Sequence, residues 1–140
     1  MSAVTVDASV WIASQDATDA CCRQSRAFLM KAVTDGADIH VPAYARVEVA
    51  CALARKFRRA AKGQRLAGQV LAAANTQVTT VNEALLASAL AVGTTMFLRG
   101  ADALYAATAE LTGSTLVSWD KEHIQRAGGL TPADWLAANP

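Results

Sequence analysis

The stretch Val4-Thr5-Val6-Asp7-Ala8-Ser9-Val10-Trp11-Ile12 sets the terms for the rest of the chain. Val4 to Val6 is a short apolar strand that ends on an acid, and an apolar segment follows at once. Thr115-Leu116-Val117-Ser118-Trp119-Asp120 repeats that design near the other end. Between them, Ile39–Val41 and the β-branched Gln77–Val81 read as two more strands. A helix is predicted from about Asp16 to Asp35, with Phe28, Leu29 and Ala32 on its inner face and Gly36 after it. Pro42 is predicted to open a long helix through about Ala61, since proline is tolerated in a first helical turn. Gly63 punctuates that pattern, and a further helix runs to about Ala74. Asn82 is placed to cap a helix from Glu83 to about Thr95. Another helix, Ala101–Leu111, stops at Gly113. The tail beyond Gly128-Gly129 offers a fifth strand before a terminal turn at Pro132. Short strands alternating with longer helices indicate βαβ units, hence an α/β domain with a short, mainly parallel sheet of about four or five strands flanked by helices. No repeat or linker divides the chain, so residues 1–140 are expected to form a single domain.

Composition agrees. Hydrophobic residues make up 53% of the 140 and charged residues 18%, which supports a packed core and argues against disorder. The first residues lack the basic segment of a signal peptide, and no run approaches the ~18 apolar residues of a transmembrane helix. Three cysteines, two of them adjacent (Cys21, Cys22, Cys51), make no disulfide framework and fit a reducing cytoplasm. With only His40 and His123 and no Cys-x-x-Cys pair, a zinc site is not expected.

The chemistry is written in four acids set among apolar residues: Asp7, Glu48, Asp102 and Asp120. Asp7 and Asp120 follow strands, and the ends of parallel strands share one edge of a sheet, where ligands of such folds bind. Asp102 opens a helix that can start at that edge, and Glu48 lies about two turns into the helix after the second strand. Two carboxylates about 5 Å apart repel by roughly 3 kcal/mol at an effective dielectric of 20. A divalent cation resolves such a cluster, and an all-oxygen donor set selects Mg²⁺ or Mn²⁺. A cation of this kind polarises a phosphoryl oxygen and acidifies bound water. Each acid also has a plainer reading. Asp7 can be a turn former, Asp102 and Asp120 can be helix N-caps, and Glu48 can sit in a buried salt bridge to Arg46 or Arg99.

These segments resemble a known family. Val-Asp-Ala-Ser-Val-Trp (6–11) is similar to the opening motif of PIN-domain ribonucleases. Pro42–Leu53, with Glu48 in its helix, resembles their second motif; Arg99-Gly-Ala-Asp102-Ala-Leu-Tyr105-Ala-Ala107 the third; and Thr115–Glu122 the fourth. Order and spacing cover nearly the whole chain, and the small-domain layout looks most like the VapC toxins of bacterial toxin–antitoxin pairs. The resemblance implies one PIN-like nuclease domain and a Mg²⁺- or Mn²⁺-dependent endoribonuclease. In it Asp7, Glu48, Asp102 and Asp120 would hold metal, with Ser9 and Ser118 in support. It also implies a homodimer and a cognate antitoxin whose tail occupies the active groove. Ser9 can equally cap the turn at 10–14. Trp119 departs from the smaller residue expected there and is read as core packing rather than base stacking. Glu122 is either an outer acid or part of a solvated helix face.

Charge is unevenly spread. No acid lies between Glu48 and Glu83, and residues 49–82 carry Arg55, Lys56, Arg58, Arg59, Lys62 and Arg65. That is +6 within a chain of net +1, which leaves −5 on the remainder. This arm could track an RNA backbone, or be a solvated helix face with Leu53, Phe57 and Leu66 turned inward. Two other readings compete with a ribonuclease. An aspartyl-phosphate phosphatase would need a second acid two residues after Asp7, where Ser9 stands. A non-catalytic RNA- or protein-binding module would use the acids only as caps and salt bridges.

Overall fold

The computed structural model describes residues 2–72 and 76–140. Four parallel strands, β1 (Ala3–Val6), β2 (Asp38–Pro42), β3 (Thr76–Thr79) and β4 (Thr115–Val117), lie in the order β3-β2-β1-β4. Register is set by Thr5 opposite His40 on one side of β1 and Leu116 on the other. Eight helices surround the sheet among the described residues: α1 (Ala8–Ser14), α2 (Cys22–Thr34), α3 (Ala45–Phe57), α4 (Ala60–Ala72), α5 (Glu83–Thr95), α6 (Gly100–Thr112), α7 (Lys121–Ala127) and α8 (Pro132–Ala138). The architecture is the α/β one expected, with four strands. The anticipated fifth is a single bridge between Val117 and Leu130, and the segment after it coils into α8, whose Pro132 occupies a first-turn position. Among the described residues, no single helix is long and apolar enough to cross a membrane.

Three boundaries differ from expectation for local reasons. Helix α2 begins at Cys22 rather than Asp16, because Asp16 and Asp19 turn their carboxylates onto the backbone N–H groups of Thr18 (3.0 Å) and Cys21 (2.7 Å) and stabilise turns instead. Pro42 closes β2 rather than opening a helix; a proline drives the preceding residue, Val41, into extended backbone, which prolongs the strand. Helix α3 therefore starts at Ala45, and Glu48 lies in its first turn, not two turns in. The break in the long helical pattern falls at Arg58, held left-handed at φ 57°, while Gly63 is inside α4. A Cβ on Gly63 would meet the Ala50 carbonyl oxygen at 2.6 Å, so this glycine marks the close crossing of α3 and α4. The expected end of that helix near Ala74 lies outside the described residues. Helices α5 and α6 follow the prediction closely: Asn82 accepts from Leu85 N–H at 2.9 Å, and Gly113 ends α6 in the left-handed region.

The main core joins Val4, Val6, Trp11, Phe28, Ile39, Leu53 and Tyr105, all essentially inaccessible to solvent. Phe28 and Ala32 face it as their spacing implied, with Leu29, Phe57 and Leu66 packed on its border. Trp119 also packs there, its indole N–H donating to Ser25 Oγ at 2.8 Å, so it is a core residue rather than a stacking platform. Strand β1 is central, and the chain runs from it first to β2 and only much later to β4 on its other side. The carboxyl ends of β1 and β4 thus mark the topological switch point of the sheet, where folds of this kind bind ligands in a crevice.

A candidate metal centre at the carboxyl edge of the sheet

Both strand ends at that crevice carry an acid. Asp7 is the N-cap of α1; its Oδ2 accepts from Ser9 N–H (3.1 Å) and from the Ser118 hydroxyl (3.1 Å). Asp120 is the N-cap of α7, its Oδ1 accepting from Glu122 N–H (2.9 Å) and His123 N–H (3.4 Å). The capping roles are thus real, but each uses one carboxylate oxygen and leaves the other. Asp102 does not cap α6; it stands inside the first turn, after the N-cap Arg99. Glu48 reaches inward from α3 and accepts the Tyr105 hydroxyl at 2.8 Å. The salt bridge to Arg46 or Arg99 that its position allowed is replaced by this neutral donor. Arg99 instead lies 3.0 Å from Glu122, 3.8 Å from Asp102 and 4.0 Å from Asp120. Glu122 also pairs with Arg126, as on an outer helix face.

The serines bind the two acidic loops together. Ser118 Oγ, besides donating to Asp7, accepts from Asp120 N–H at 3.0 Å. Ser9 Oγ accepts from Trp119 N–H at 3.0 Å and lies 3.4 Å from Ser118 Oγ. They orient the carboxylates and the loops that carry them. Tyr105, wholly buried, does the same for Glu48.

Electrostatically the acids act as one group. Burial pushes the Glu48 carboxyl above its usual range, and the charges of Asp7 and Asp102 push it further, against the Tyr105 hydrogen bond. Burial likewise raises Asp102, and the charges of Asp7 and Asp120 add repulsion against the Arg99 guanidinium. The tightest constellation is Asp7, Asp102 and His123, one donor atom of each lying within 4.8 Å of the others. Glu48 feels the charges of Asp7 and Asp102, and Asp120 stands at the more exposed rim. Among the described residues the one arginine in this cluster is Arg99, 74% exposed and so strongly screened by water. Converging carboxylates with little counter-charge, and a buried imidazole Nδ1 left without a hydrogen-bond partner, fit a divalent cation.

Of the residues singled out in the sequence, Asp7, Glu48, Asp102, Asp120, Ser9 and Ser118 meet at one sheet edge. The six cations do not act alike. Lys56 is engaged by Asp16 and Asp19, and Lys62 Nζ sits 3.9 Å from the Phe57 ring centre. Arg55, Arg58, Arg59 and Arg65 are exposed. His123 and Tyr105 joined the site unanticipated. Tyr105 lies three residues after Asp102 on α6, a spacing that puts the two on neighbouring helical positions. His123 sits three residues after Asp120, in the first turn of the short α7, which strand–helix alternation did not reveal.

Comparison with known proteins bears on the fold and the family. No curated protein matches the sequence. Three solved structures superpose on nearly all of it. PAE2754 from Pyrobaculum aerophilum shares 23% identity at a TM-score of 0.72, covering 98% of this chain and 88% of its own. VapC20 of Mycobacterium tuberculosis, a sarcin-ricin loop cleaving toxin, shares 18% identity at 0.75, covering 93% and 98%. FitAcB from Neisseria gonorrhoeae shares 17% at 0.65, again covering 93% and 98%. At these identities the likeness is one of fold. The PIN domain family pattern matches residues 4–130, a span that includes all four acids, both serines, Tyr105 and His123. The chain therefore belongs to the PIN domain family.

Proposed function

We propose that the protein is a Mg²⁺- or Mn²⁺-dependent endoribonuclease formed by residues 1–140 as one nuclease domain, acting in the cytoplasm as the toxin of a toxin–antitoxin pair. The observation that carries this reading is the convergence of Asp7, Glu48 and Asp102 at the carboxyl edge of the sheet, where burial and the neighbouring charges raise Glu48 and Asp102. A divalent cation held there by Asp7, Glu48, Asp102 and Asp120 would neutralise phosphate charge and supply Lewis acidity toward water. The chain's own residues prepare for it. Ser9 N–H and Ser118 Oγ–H fix one oxygen of Asp7, leaving Oδ1 turned to the cluster. Tyr105 fixes Glu48, and α7 fixes Asp120. The exposed Arg99 lies at the rim, where the guanidinium N–H groups not taken by Glu122 could meet a phosphate oxygen. Arg55, Arg58, Arg59 and Arg65 would hold the flanking RNA backbone that the carboxylates repel.

The toxin assignment is supported by the fold shared with VapC20 and FitAcB, and from that assignment we infer an antitoxin partner and a homodimer. Asp7→Asn tests the reading, because the amide oxygen can still accept from Ser9 and Ser118 while the charge is lost. We expect cation-dependent RNA cleavage to fall at least a hundredfold, with the circular-dichroism spectrum unchanged, and growth arrest on induced expression to disappear. Cleavage at the parent rate would exclude it. A non-catalytic module whose acids only cap helices predicts instead a flat thermal-shift response to Mg²⁺ and Mn²⁺.

A further inference from the structure

His123 is the least expected member of the cluster. It is completely buried, and its Nε2 lies 3.0 Å from the carbonyl oxygen of Asp102. A carbonyl can only accept, so Nε2 carries the proton and donates. The other ring nitrogen, Nδ1, has no hydrogen-bond partner. It faces Asp7 Oδ1 at 3.6 Å, too far for the 2.7–2.9 Å charge-assisted bond that an imidazolium would make (about the usual range). Left as a lone pair it would confront a carboxylate lone pair in a water-poor interior, an arrangement that costs stability. A cation shared between them satisfies both. Metal-binding histidines characteristically donate their second ring N–H to a carbonyl or carboxylate, which fixes tautomer and orientation. Here the carbonyl belongs to Asp102, whose carboxylate lies in the same cluster. The Tyr105 ring packs on the imidazole in a T-shaped arrangement, 6.3 Å between centres.

We infer that His123 is a metal ligand: Nδ1 joins the carboxylates of Asp7 and Asp102 in a mixed nitrogen–oxygen donor set that favours Mn²⁺ over Mg²⁺. This rests on the divalent-metal reading above and adds its selectivity. Mg²⁺ keeps to oxygen donors and dehydrates reluctantly, whereas first-row transition ions accept imidazole readily.

The test uses the full chain, stripped of metal and titrated with Mn²⁺ or Mg²⁺ alone. Pulsed electron paramagnetic resonance of bound Mn²⁺ should show a directly coordinated ¹⁴N, replaced by a ¹⁵N signal when histidine is ¹⁵N-labelled. His40, the one other histidine, lies within β2 opposite Thr5, and His40→Asn should keep the signal. His123→Gln can retain the N–H donated to Asp102 while lacking Nδ1. It should lose the nitrogen signal and about tenfold or more of Mn²⁺ affinity, with Mg²⁺ affinity changed less than about threefold. If that variant does not fold, the signal from the unaltered chain decides alone. Mn²⁺ that binds, and is lost in Asp7→Asn, but shows no nitrogen coupling would overturn the histidine ligand and leave the metal site standing. No Mn²⁺ binding to the unaltered chain would overturn the metal site and the inference together.

Discussion

Two sets of buried or half-buried carboxylates in this small domain have opposite surroundings. Asp16 lies beneath the α1–α2 turn with Lys56 against one oxygen and Thr18 donating twice to the other, through N–H at 3.0 Å and the hydroxyl at 2.8 Å. Its carboxyl is held down at about 2, first by Lys56 and then by Thr18. Asp7, Glu48 and Asp102 share a cleft with one another instead, and Glu48 and Asp102 are pushed upward. The first arrangement ties α3 to the loop before α2. The second works against the metal-free fold, and it persists because the strand ends and first turns that carry the acids are fixed by the core. A satisfied buried acid reads as structure; a set of mutually repelling ones, oriented by serine, tyrosine and backbone donors, reads as a site for a cation.

The sharpest contrast is expected from matched neutralisations. Asp102→Asn should raise the stability of the metal-free protein by about 1–3 kcal/mol, since one of several close like charges is removed. The same change should abolish the increase in unfolding temperature produced by Mn²⁺. Asp16→Asn should do the reverse, lowering unfolding temperature in EDTA and leaving the Mn²⁺ increment intact. Thermal unfolding of both variants, with and without metal, would break the comparison if they moved together.

Titration should separate the groups again. A carboxyl raised in the folded state binds its proton more tightly there than in the unfolded chain. Metal-free stability should therefore grow as pH falls through the raised values of Glu48 and Asp102, and the gain is complete below their ordinary 4.5 and 3.8. Asp16 has the opposite sign: its contribution is full above 3.8 and is lost as pH falls toward 2. Urea unfolding in EDTA should thus show stability rising on acidification to about pH 4–5 and declining below it. Glu48→Gln with Asp102→Asn should flatten the upper limb, and Asp16→Asn should soften the lower one.

Tyr105→Phe probes the donor that distinguishes Glu48 from its neighbours. Leaving that half-buried carboxylate oxygen without its partner should cost about 1–2 kcal/mol and weaken Mn²⁺ binding severalfold, measurable by urea unfolding and calorimetry. The smallest effects should come from the exposed cations. Arg58→Ala with Arg59→Ala should leave stability nearly unchanged and reduce the salt slope of RNA binding by about one to two. Lys56→Ala should lower stability and leave that slope alone. An unchanged slope in the double variant would mean the arm faces another partner.

Much of this was legible in the residues themselves. Alternating apolar strands and longer helices named the α/β class, and Asn82 and Gly113 bounded their helices because capping chemistry is local. The four acids drew notice because each interrupts an apolar run. What stayed hidden depended on neighbours distant in sequence. Pro42 reads as a helix start because a strand end has almost the same signature; only its pairing beside Thr79 settles it. Gly63 looked like punctuation because the Ala50 carbonyl it must clear belongs to another helix. Lys56 looked like one cation among six until Asp16, forty residues earlier, came up against it. His123 looked like a lone histidine until the Asp102 carbonyl fixed its ring and turned Nδ1 toward Asp7.

The sequence by itself therefore determined the element types, the apolar faces and the identity of the acids, since these follow from side-chain chemistry and from periods of two and 3.6 residues. The tertiary structure alone decided which acids are neutralised and which repel, because charge interactions depend on separation and burial across β1, β4, α3, α6 and α7. No spacing along the chain encodes those distances.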